Sequence, residues 1–196
     1  AQGDVGEAFV FAGVNNAPVV FFCQNNQWAI SEPNERQMRI PIYLRPQGYG
    51  FPGIRVDGND VLATYAVSTA CLDAARDGQG PSLIEAFTYR MGAHTTSDDP
   101  SKYRVSAEVE VWKLRDPIAR LRNLLGRTYG IPQSFFDEID AEAAEVGTDL
   151  RKRCLELPDP SPESMFEHVY AEAHPVMDRE RAELVDYLAG FEGAHN

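Results

Sequence analysis

The apolar run Val19-Val20-Phe21-Phe22-Cys23 is followed at once by the polar stretch Gln24-Asn25-Asn26-Gln27-Trp28. Unbroken β-branched and aromatic residues predict a strand that is buried on both faces, as in a parallel sheet. An Asn pair after such a strand most often forms only a turn. Ligands of doubly wound α/β sheets nevertheless bind at the carboxyl ends of strands, so this pair is also a candidate site.

The flanking segments predict the alternation of helix and strand that is typical of a doubly wound α/β sheet. In chain order they are a helix at residues 3–14, a long irregular stretch at 24–53, a strand at 54–58, a helix at 61–76 and a third strand at 82–88. Three strands alone would leave a parallel sheet with bare edges. We therefore expect further strands before Ala1 and interpret the chain as a fragment.

From residue 106 onward the pattern becomes helical. Helices are predicted at residues 106–127, 134–157 and 164–191, with a break or a kink at Pro117 in the first of them. We divide the chain into residues 1–104, which form part of an α/β domain, and 105–196. The latter is a helical segment expected to pack on the same domain or on partner subunits.

The charge balance excludes several classes of partner. Lys and Arg number 18 against 30 Asp and Glu, a net charge of −12, which argues against a nucleic-acid or anionic-membrane surface. No apolar run approaches the roughly 20 residues that span a bilayer. The three widely spaced cysteines, Cys23, Cys71 and Cys154, predict buried, reduced thiols and a cytoplasmic protein.

A second polar cluster follows the third predicted strand. Its centre is His94, one of four histidines, which lies among charged residues between Arg90 and Arg104. Imidazole exchanges protons near neutral pH, so His94 is a candidate for proton transfer or for hydrogen bonding to a developing alkoxide. The other histidines, His168, His174 and His195, are interpreted as structural or exposed.

Four stretches, in the correct order, resemble alpha subunits of the thiamine-diphosphate-dependent 2-oxoacid dehydrogenases, the family of the branched-chain and pyruvate enzymes. They are residues 19–31, similar to the second half of the cofactor motif, then 56–60, then 89–104, similar to the active-site loop, and 115–118. The resemblance covers nearly the whole chain and corresponds to the C-terminal portion of such a subunit. We expect the first half of the motif, Gly-Asp-Gly with a metal-ligating Asp, just before Ala1.

The resemblance implies a thiamine-diphosphate-binding α/β fold and assigns roles to single residues. Asn26 would ligate Mg2+ through its side chain and Trp28 through its backbone carbonyl, and the metal would bridge the cofactor's diphosphate. Ala29 and Ile30 would pack near the cofactor. His94 would lie beside it and take part in transfer of the acyl group to a lipoyl domain.

The same resemblance implies that the loop after the third strand becomes ordered when the cofactor binds and helps to dock the lipoyl domain. Its network of ion pairs and hydrogen bonds would comprise Arg90, Asp98, Asp99, Tyr103 and Arg104. The alternative is a solvated charged loop whose pairs contribute little. Thr95 occupies the place of a phosphorylation site in mitochondrial relatives, where added charge would repel the diphosphate.

The function implied is that of an enzyme alpha subunit that pairs with a beta subunit as an alpha2-beta2 heterotetramer. The component would decarboxylate a 2-oxoacid and pass the acyl group to a lipoyl domain of the acyltransferase core. Residues 26–31 and 95–99 look more like branched-chain enzymes of the 3-methyl-2-oxobutanoate type than like pyruvate enzymes, with acetoin-type relatives third.

Two further readings belong to other classes of protein. One is a non-catalytic assembly fragment, which the position of the expected Gly-Asp-Gly outside the 196 residues favours. The other is a generic nucleotide-binding domain. The latter is less favoured because no Gly-rich phosphate loop follows any predicted strand.

Overall fold

A computed structural model of the chain describes residues 3–191. They belong to two compact units, Ala1–Phe136 and Asp137–Asn196. The first contains a parallel sheet with helices and the second is helical, which confirms the predicted α/β class with a helical segment after it. The predicted division between residues 104 and 105 remains a prediction.

The described residues of the first unit contain five strands. They are β1 (Val20–Asn25), β2 (Trp28–Ala29), β3 (Glu32–Pro33), β4 (Gly53–Asp57) and β5 (Ser82–Phe87). Its helices are α1 (Gly3–Val14), α2 (Asn34–Gln37), α3 (Val61–Arg76), α4 (Ser106–Lys113) and α5 (Pro117–Tyr129), with 3-10 helices at Ile42–Tyr49 and Pro100–Lys102. The next helix, α6 (Gln133–Glu156), runs into the second unit, which also holds α7 (Ser164–Glu167) and α8 (Pro175–Ala189).

The main sheet is parallel, with strand order β1-β5-β4. Asn25 of β1 and Asp57 of β4 both lie opposite Phe87 of β5, so the three strands end at the same level. The residues that follow these strands therefore meet along one edge of the sheet, which is where α/β folds bind ligands.

Helices cover both faces of this sheet. Leu83 packs with Phe9 of α1 and with Phe51 on one face, while the next residue, Ile84, packs with Cys71 of α3 on the other. This alternation follows from the two-residue period of a strand. The arrangement is therefore doubly wound, as predicted.

Two expectations about local structure are wrong. Among the described residues β1 is an edge strand with Phe22 53% exposed, and β5 is the strand buried along its length. The stretch at 24–53 is not irregular, because it contains the β2–β3 hairpin, α2 and the 3-10 helix Ile42–Tyr49. Proline is compatible with the first turn of a helix and with short 3-10 segments, and here Pro46 lies inside one.

Local capping chemistry explains where α3 and α5 begin. The Asp60 carboxylate accepts from the backbone N–H groups of Leu62 and Ala63, which are otherwise unpaired donors at the start of α3. Pro117 begins α5 and separates it from α4, as predicted. Arg120 of α5 donates to Asp57 at 2.8 Å and to Asp60 at 3.0 Å, tying α5 to the turn after β4.

Up to residue 191, where its description ends, the second unit contains helices and loops. All three cysteines are free, but the expectation that all three are buried is confirmed only for Cys71. Cys23 is half-buried, and Cys154 of α6 is exposed. The reason is that α6 presents much of its length to solvent. Within residues 3–191, no helix is long and apolar enough to cross a bilayer.

Candidate cofactor site

The turn after β1 is organised by the buried side chain of Asn25. Its Nδ2 donates to the Glu85 carboxylate at 2.6 Å. Its Oδ1 accepts from the Gln27 backbone N–H at 3.0 Å and from Asn34 Nδ2 at 2.8 Å. Both lone pairs of this oxygen are therefore used inside the protein, so Asn25 shapes the turn and its oxygen is not free for a ligand.

Asn26 presents its side chain differently. Its Oδ1 accepts one hydrogen bond, from the Trp28 backbone N–H at 3.0 Å, which leaves a lone pair available. Asn34 N donates to Gln27 O, so the next pair of the hairpin, Trp28 with Pro33, is the non-hydrogen-bonded one. The N–H and C=O of Trp28 therefore both point away from β3, toward the side where the Asn26 oxygen lies.

A cavity of about 540 Å3 lies beside this turn. Asn26 and Trp28 line it, together with Asn25, Gln24, Cys23, Asn34, Gln37, Arg45 and apolar residues of α1, β1, β5 and the segment 38–42. Arg45 is the one charged side chain among the described lining residues. Burial, and then the charge of Glu85, raise the pKa of the Cys23 thiol against the effect of Arg45, so the thiol is neutral at pH 7. The wall thus suits an anionic group, although the chain as a whole is strongly acidic.

The donor atoms on this wall fit a hard cation shared with a phosphate. In the described part of the chain, no three His, Cys, Asp or Glu side chains come together as a metal cage. The amide oxygen of Asn26 and the carbonyl of Trp28 are oxygen ligands of the kind Mg2+ takes, and Mg2+ commonly completes its shell with substrate phosphates and water. The residues present therefore fit the metal and diphosphate that the resemblance implies.

Ala29 and Ile30 lie next along the chain, outside the wall of this cavity. Both are exposed, and Ile30 has a φ of +55°, a conformation that is strained for a β-branched residue. Arg90 Nη2 donates to the Ile30 carbonyl at 2.6 Å, and Arg90 N donates to Asn26 O at 3.2 Å. The loop after β5 is thus tied to the turn after β1.

Three residues of the predicted loop network, Arg90, Asp98 and Tyr103, form a connected group with His94. Arg90 Nη2 donates to the Tyr103 hydroxyl at 3.1 Å, and that hydroxyl donates to Asp98 at 2.6 Å. Asp98 also accepts from the His94 backbone N–H at 2.8 Å, while Arg90 Nη1 lies 3.5 Å from His94 Nδ1. The His94 N–H and then the Tyr103 hydroxyl lower the pKa of Asp98, and the same hydrogen bond raises the pKa of Tyr103.

Two other predicted residues, Arg104 and Asp99, act on the backbone or locally rather than on this group. Arg104 donates to the backbone carbonyls of Arg90 and Met91, and these hydrogen bonds stabilise the segment just after β5. Asp99 accepts from the backbone N–H and hydroxyl of Ser101 and so caps a 3-10 helix. The proposed phosphorylation residue, Thr95, is exposed, with its hydroxyl 3.2 Å from that of Ser97.

The remaining histidines belong to the second unit. His174 stacks on Tyr170 with ring centroids 4.4 Å apart, and His168 is exposed. His195 lies outside the described residues.

Reasoning from the sequence missed Glu85, Asn34 and Arg45. Glu85 carried a usable signal, because it is the one charged residue in an otherwise apolar strand, Ser82–Phe87. A charge in such a place is costly unless it is paired or hydrogen-bonded. Asn34 and Arg45 carried no such signal, since polar residues are ordinary in a stretch that was taken for a loop.

Comparison with known proteins identifies the family of the chain. The sequence pattern of the family described as "Dehydrogenase E1 component" matches residues 1–160. The chain is 47% identical over 190 residues to the 3-methyl-2-oxobutanoate dehydrogenase subunit alpha of Mycobacterium tuberculosis (strain ATCC 25618 / H37Rv), covering 96% of this chain and 52% of that protein.

Two other relatives have somewhat lower sequence identities. The pyruvate dehydrogenase E1 component subunit alpha of Acholeplasma laidlawii is 42% identical over 200 residues, covering 97% of this chain and 56% of its own length. The mitochondrial 2-oxoisovalerate dehydrogenase subunit alpha of Homo sapiens is 38% identical over 204 residues, covering 100% of this chain and 44% of its own length. The chain spans about half the length of the curated relatives it matches. Because the family pattern covers most of the 196 residues, this chain belongs to the dehydrogenase E1 component family.

Proposed function

We propose that this chain supplies part of the Mg2+ and thiamine diphosphate site of a 2-oxoacid dehydrogenase alpha subunit. The observation that carries the proposal is that the Asn26 Oδ1 accepts from the Trp28 backbone N–H and that both residues line one cavity. Both lie at the carboxyl end of β1, on a cavity whose described wall carries one cation, Arg45, and no carboxylate. This is the surface that a metal-bound diphosphate requires.

Each residue of the chain has a limited task in this function. Thiamine diphosphate, when bound, supplies the electron sink for decarboxylation of a 2-oxoacid. Asn26 and Trp28 would hold Mg2+, and Ala29 and Ile30 would pack near the cofactor. His94 would hold or donate a proton at the acyl-transfer step, with Arg90 3.5 Å from its Nδ1 to orient the ring.

For the substrate we propose a branched-chain 2-oxoacid of the 3-methyl-2-oxobutanoate type. The 47% identity to a protein named for that substrate supports this choice over pyruvate, whose named enzyme is 42% identical. A panel of 2-oxoacids, tested on the full-length alpha–beta assembly, decides between them. A strong preference for pyruvate over 3-methyl-2-oxobutanoate would overturn the choice.

We further propose a beta subunit as the partner in an alpha2-beta2 component. That component would deliver acyl groups to the lipoyl domain of an acyltransferase core. The names of the relatives as alpha subunits support the first of these partners. We propose a cytoplasmic location, which the bacterial relatives favour, although other relatives are mitochondrial.

Calorimetry distinguishes this function from the non-catalytic assembly fragment. Mg2+ and thiamine diphosphate are titrated into the alpha chain extended to include Gly-Asp-Gly, with and without a beta subunit. Saturable binding that is weakened by Asn26→Leu supports the cofactor site. No binding by the extended alpha–beta assembly would defeat the enzyme function and leave the assembly fragment.

A further inference from the structure

Glu85 is a buried carboxylate at the centre of the sheet. It lies on β5, the middle strand, and is 1% exposed. One carboxylate oxygen accepts from Asn25 Nδ2 at 2.6 Å, and the other accepts from the Tyr43 backbone N–H at 3.0 Å. A buried charge in the middle of an apolar strand is costly unless hydrogen bonds satisfy it, and here each carboxylate oxygen has a partner.

Glu85 determines which way the Asn25 amide faces. Both carboxylate oxygens of Glu85 accept hydrogen bonds, so Asn25 turns its NH2 group toward Glu85 and its oxygen toward the turn. That oxygen then accepts from Gln27 N and Asn34 Nδ2, which define the tight turn and the hairpin after it. Reversing the amide would set donor against donor at both of these contacts.

The turn held in this way needs such support. Gln27 has a φ of +70°, which is uncommon for a residue other than glycine and costs free energy wherever it is imposed. The backbone N–H of Gln27 is held by Asn25, and its side-chain amide donates to Thr88 O at 2.7 Å. Gln27 lies between Asn26 and Trp28, so its conformation sets the distance between their two oxygen atoms.

We propose that Glu85 is a positioning residue for the metal-binding turn, and that it acts through Asn25 to align the Asn26 oxygen with the Trp28 carbonyl. This inference rests on the proposed function, because it assumes that these two atoms bind Mg2+. Glu85 itself is buried and does not line the cavity beside the turn. Its contribution is to hold the turn in the metal-binding geometry before the metal binds.

The first test is Glu85→Gln in the full-length alpha subunit assembled with its beta subunit. Glutamine has nearly the same shape, but its NH2 group must face either Asn25 Nδ2 or Tyr43 N, which are both donors. Removing a partner that orients metal ligands weakens metal binding by about 10- to 100-fold. We expect the Mg2+ concentration required at a fixed level of thiamine diphosphate, measured by calorimetry, to rise by that factor.

Exchanging the amide and the carboxylate between positions 25 and 85 distinguishes an effect on the geometry of the turn from an effect on stability. In the double variant Asn25→Asp with Glu85→Gln, the new amide at position 85 donates to the new carboxylate at position 25 and accepts from Tyr43 N. That carboxylate in turn accepts from Gln27 and Asn34, so every hydrogen bond and the single negative charge are restored. Asn25→Asp alone places two carboxylates face to face and should bind Mg2+ more weakly than wild type. We expect the double variant to bind Mg2+ within about threefold of wild type, since the coupled pair is complete again.

Ile84→Val is the matched control. It lies next to Glu85 on β5 but packs against α3 on the opposite face, so it should lower the unfolding midpoint and leave the Mg2+ requirement unchanged. An unchanged Mg2+ requirement in Glu85→Gln would overturn the inference. So would a double variant that regains the wild-type unfolding midpoint but not Mg2+ binding. If wild type itself bound neither Mg2+ nor thiamine diphosphate, the proposed function would fail instead.

Discussion

Arg90 donates a 2.6 Å hydrogen bond from Nη2 to the carbonyl of Ile30, a residue 60 positions earlier in the chain. The same nitrogen donates to the Tyr103 hydroxyl at 3.1 Å. One planar guanidinium therefore joins the turn after β1, the end of β5 and the far end of the loop that follows β5. The strained backbone at Ile30, with its φ of +55°, is held in part by this contact.

We expect Arg90→Lys to loosen this loop, because an ammonium on a flexible stem does not reproduce the fork geometry. If the free energy of opening the loop falls by about 1 kcal/mol, protease should cleave the loop about fivefold faster. Limited proteolysis of the alpha–beta assembly, followed by mass spectrometry, measures cleavage at residues 92–104. Arg76→Lys, at an exposed pair with Asp73, is the control and should cleave like wild type. Equal cleavage of Arg90→Lys and wild type would show that Arg90 does not order the loop by bridging to Ile30.

The loop should lose order in acid because of Asp98. The His94 N–H, the Tyr103 hydroxyl and the Arg90 charge hold the pKa of Asp98 below its ordinary value of about 3.9. A carboxylate whose folded-state pKa is lowered stabilises the fold above that ordinary value, and this contribution is lost as pH falls through the folded-state pKa. Hydrogen exchange of residues 92–104 in wild type should therefore increase as the pH falls below about 4, after correction for the intrinsic exchange rate. In Asp98→Asn the exchange should already be fast at pH 6. Matching acid profiles for the two proteins would contradict this.

His94→Ala should separate two stages of the reaction. The imidazole lies in the loop that the resemblance assigns to acyl transfer, so its loss should impair transfer to a lipoyl domain more than decarboxylation. We expect at least a tenfold larger loss in lipoyl acylation than in 2-oxoacid turnover with an artificial electron acceptor, since general acid–base catalysis contributes about 10²-fold or more. His168→Ala, at an exposed position, is the control. Equal losses in both assays would show that His94 does not act selectively at acyl transfer.

Thr95→Glu tests the proposed phosphorylation position. Thr95 is exposed and lies close in sequence to Asp98 and Asp99, so a further negative charge adds repulsion within the loop and toward the cofactor's diphosphate. We expect overall complex activity to be abolished. Thr95→Gln has similar bulk without the charge and should retain most of the activity. Full activity in Thr95→Glu would sink the hypothesis, and loss in both variants would assign the effect to size rather than to charge.

Much of the fold was predictable because its signals are local. Asp60 with the helix at Val61–Arg76, the break at Pro117 and the apolar β1 and β5 segments all depend on residues close together in sequence. The position of β5 at the centre of the sheet was not predictable in this way. A continuous apolar run predicts that a strand is buried. It does not predict which strands pair, and that pairing decides the order of the strands in the sheet.

Some features of the candidate site were likewise predictable from local sequence, and others were not. The sequence by itself determined that polar residues follow the strand containing Phe21 and the strand containing Ile84, because a strand's end is marked by its own composition. Only the tertiary structure decided that Asn25 faces Glu85 while the Asn26 oxygen lies on the side of the cavity, and that Arg90 reaches Ile30. Hydrogen bonds between residues 60 positions apart depend on strand register and side-chain direction, and neither is set by neighbours in the chain.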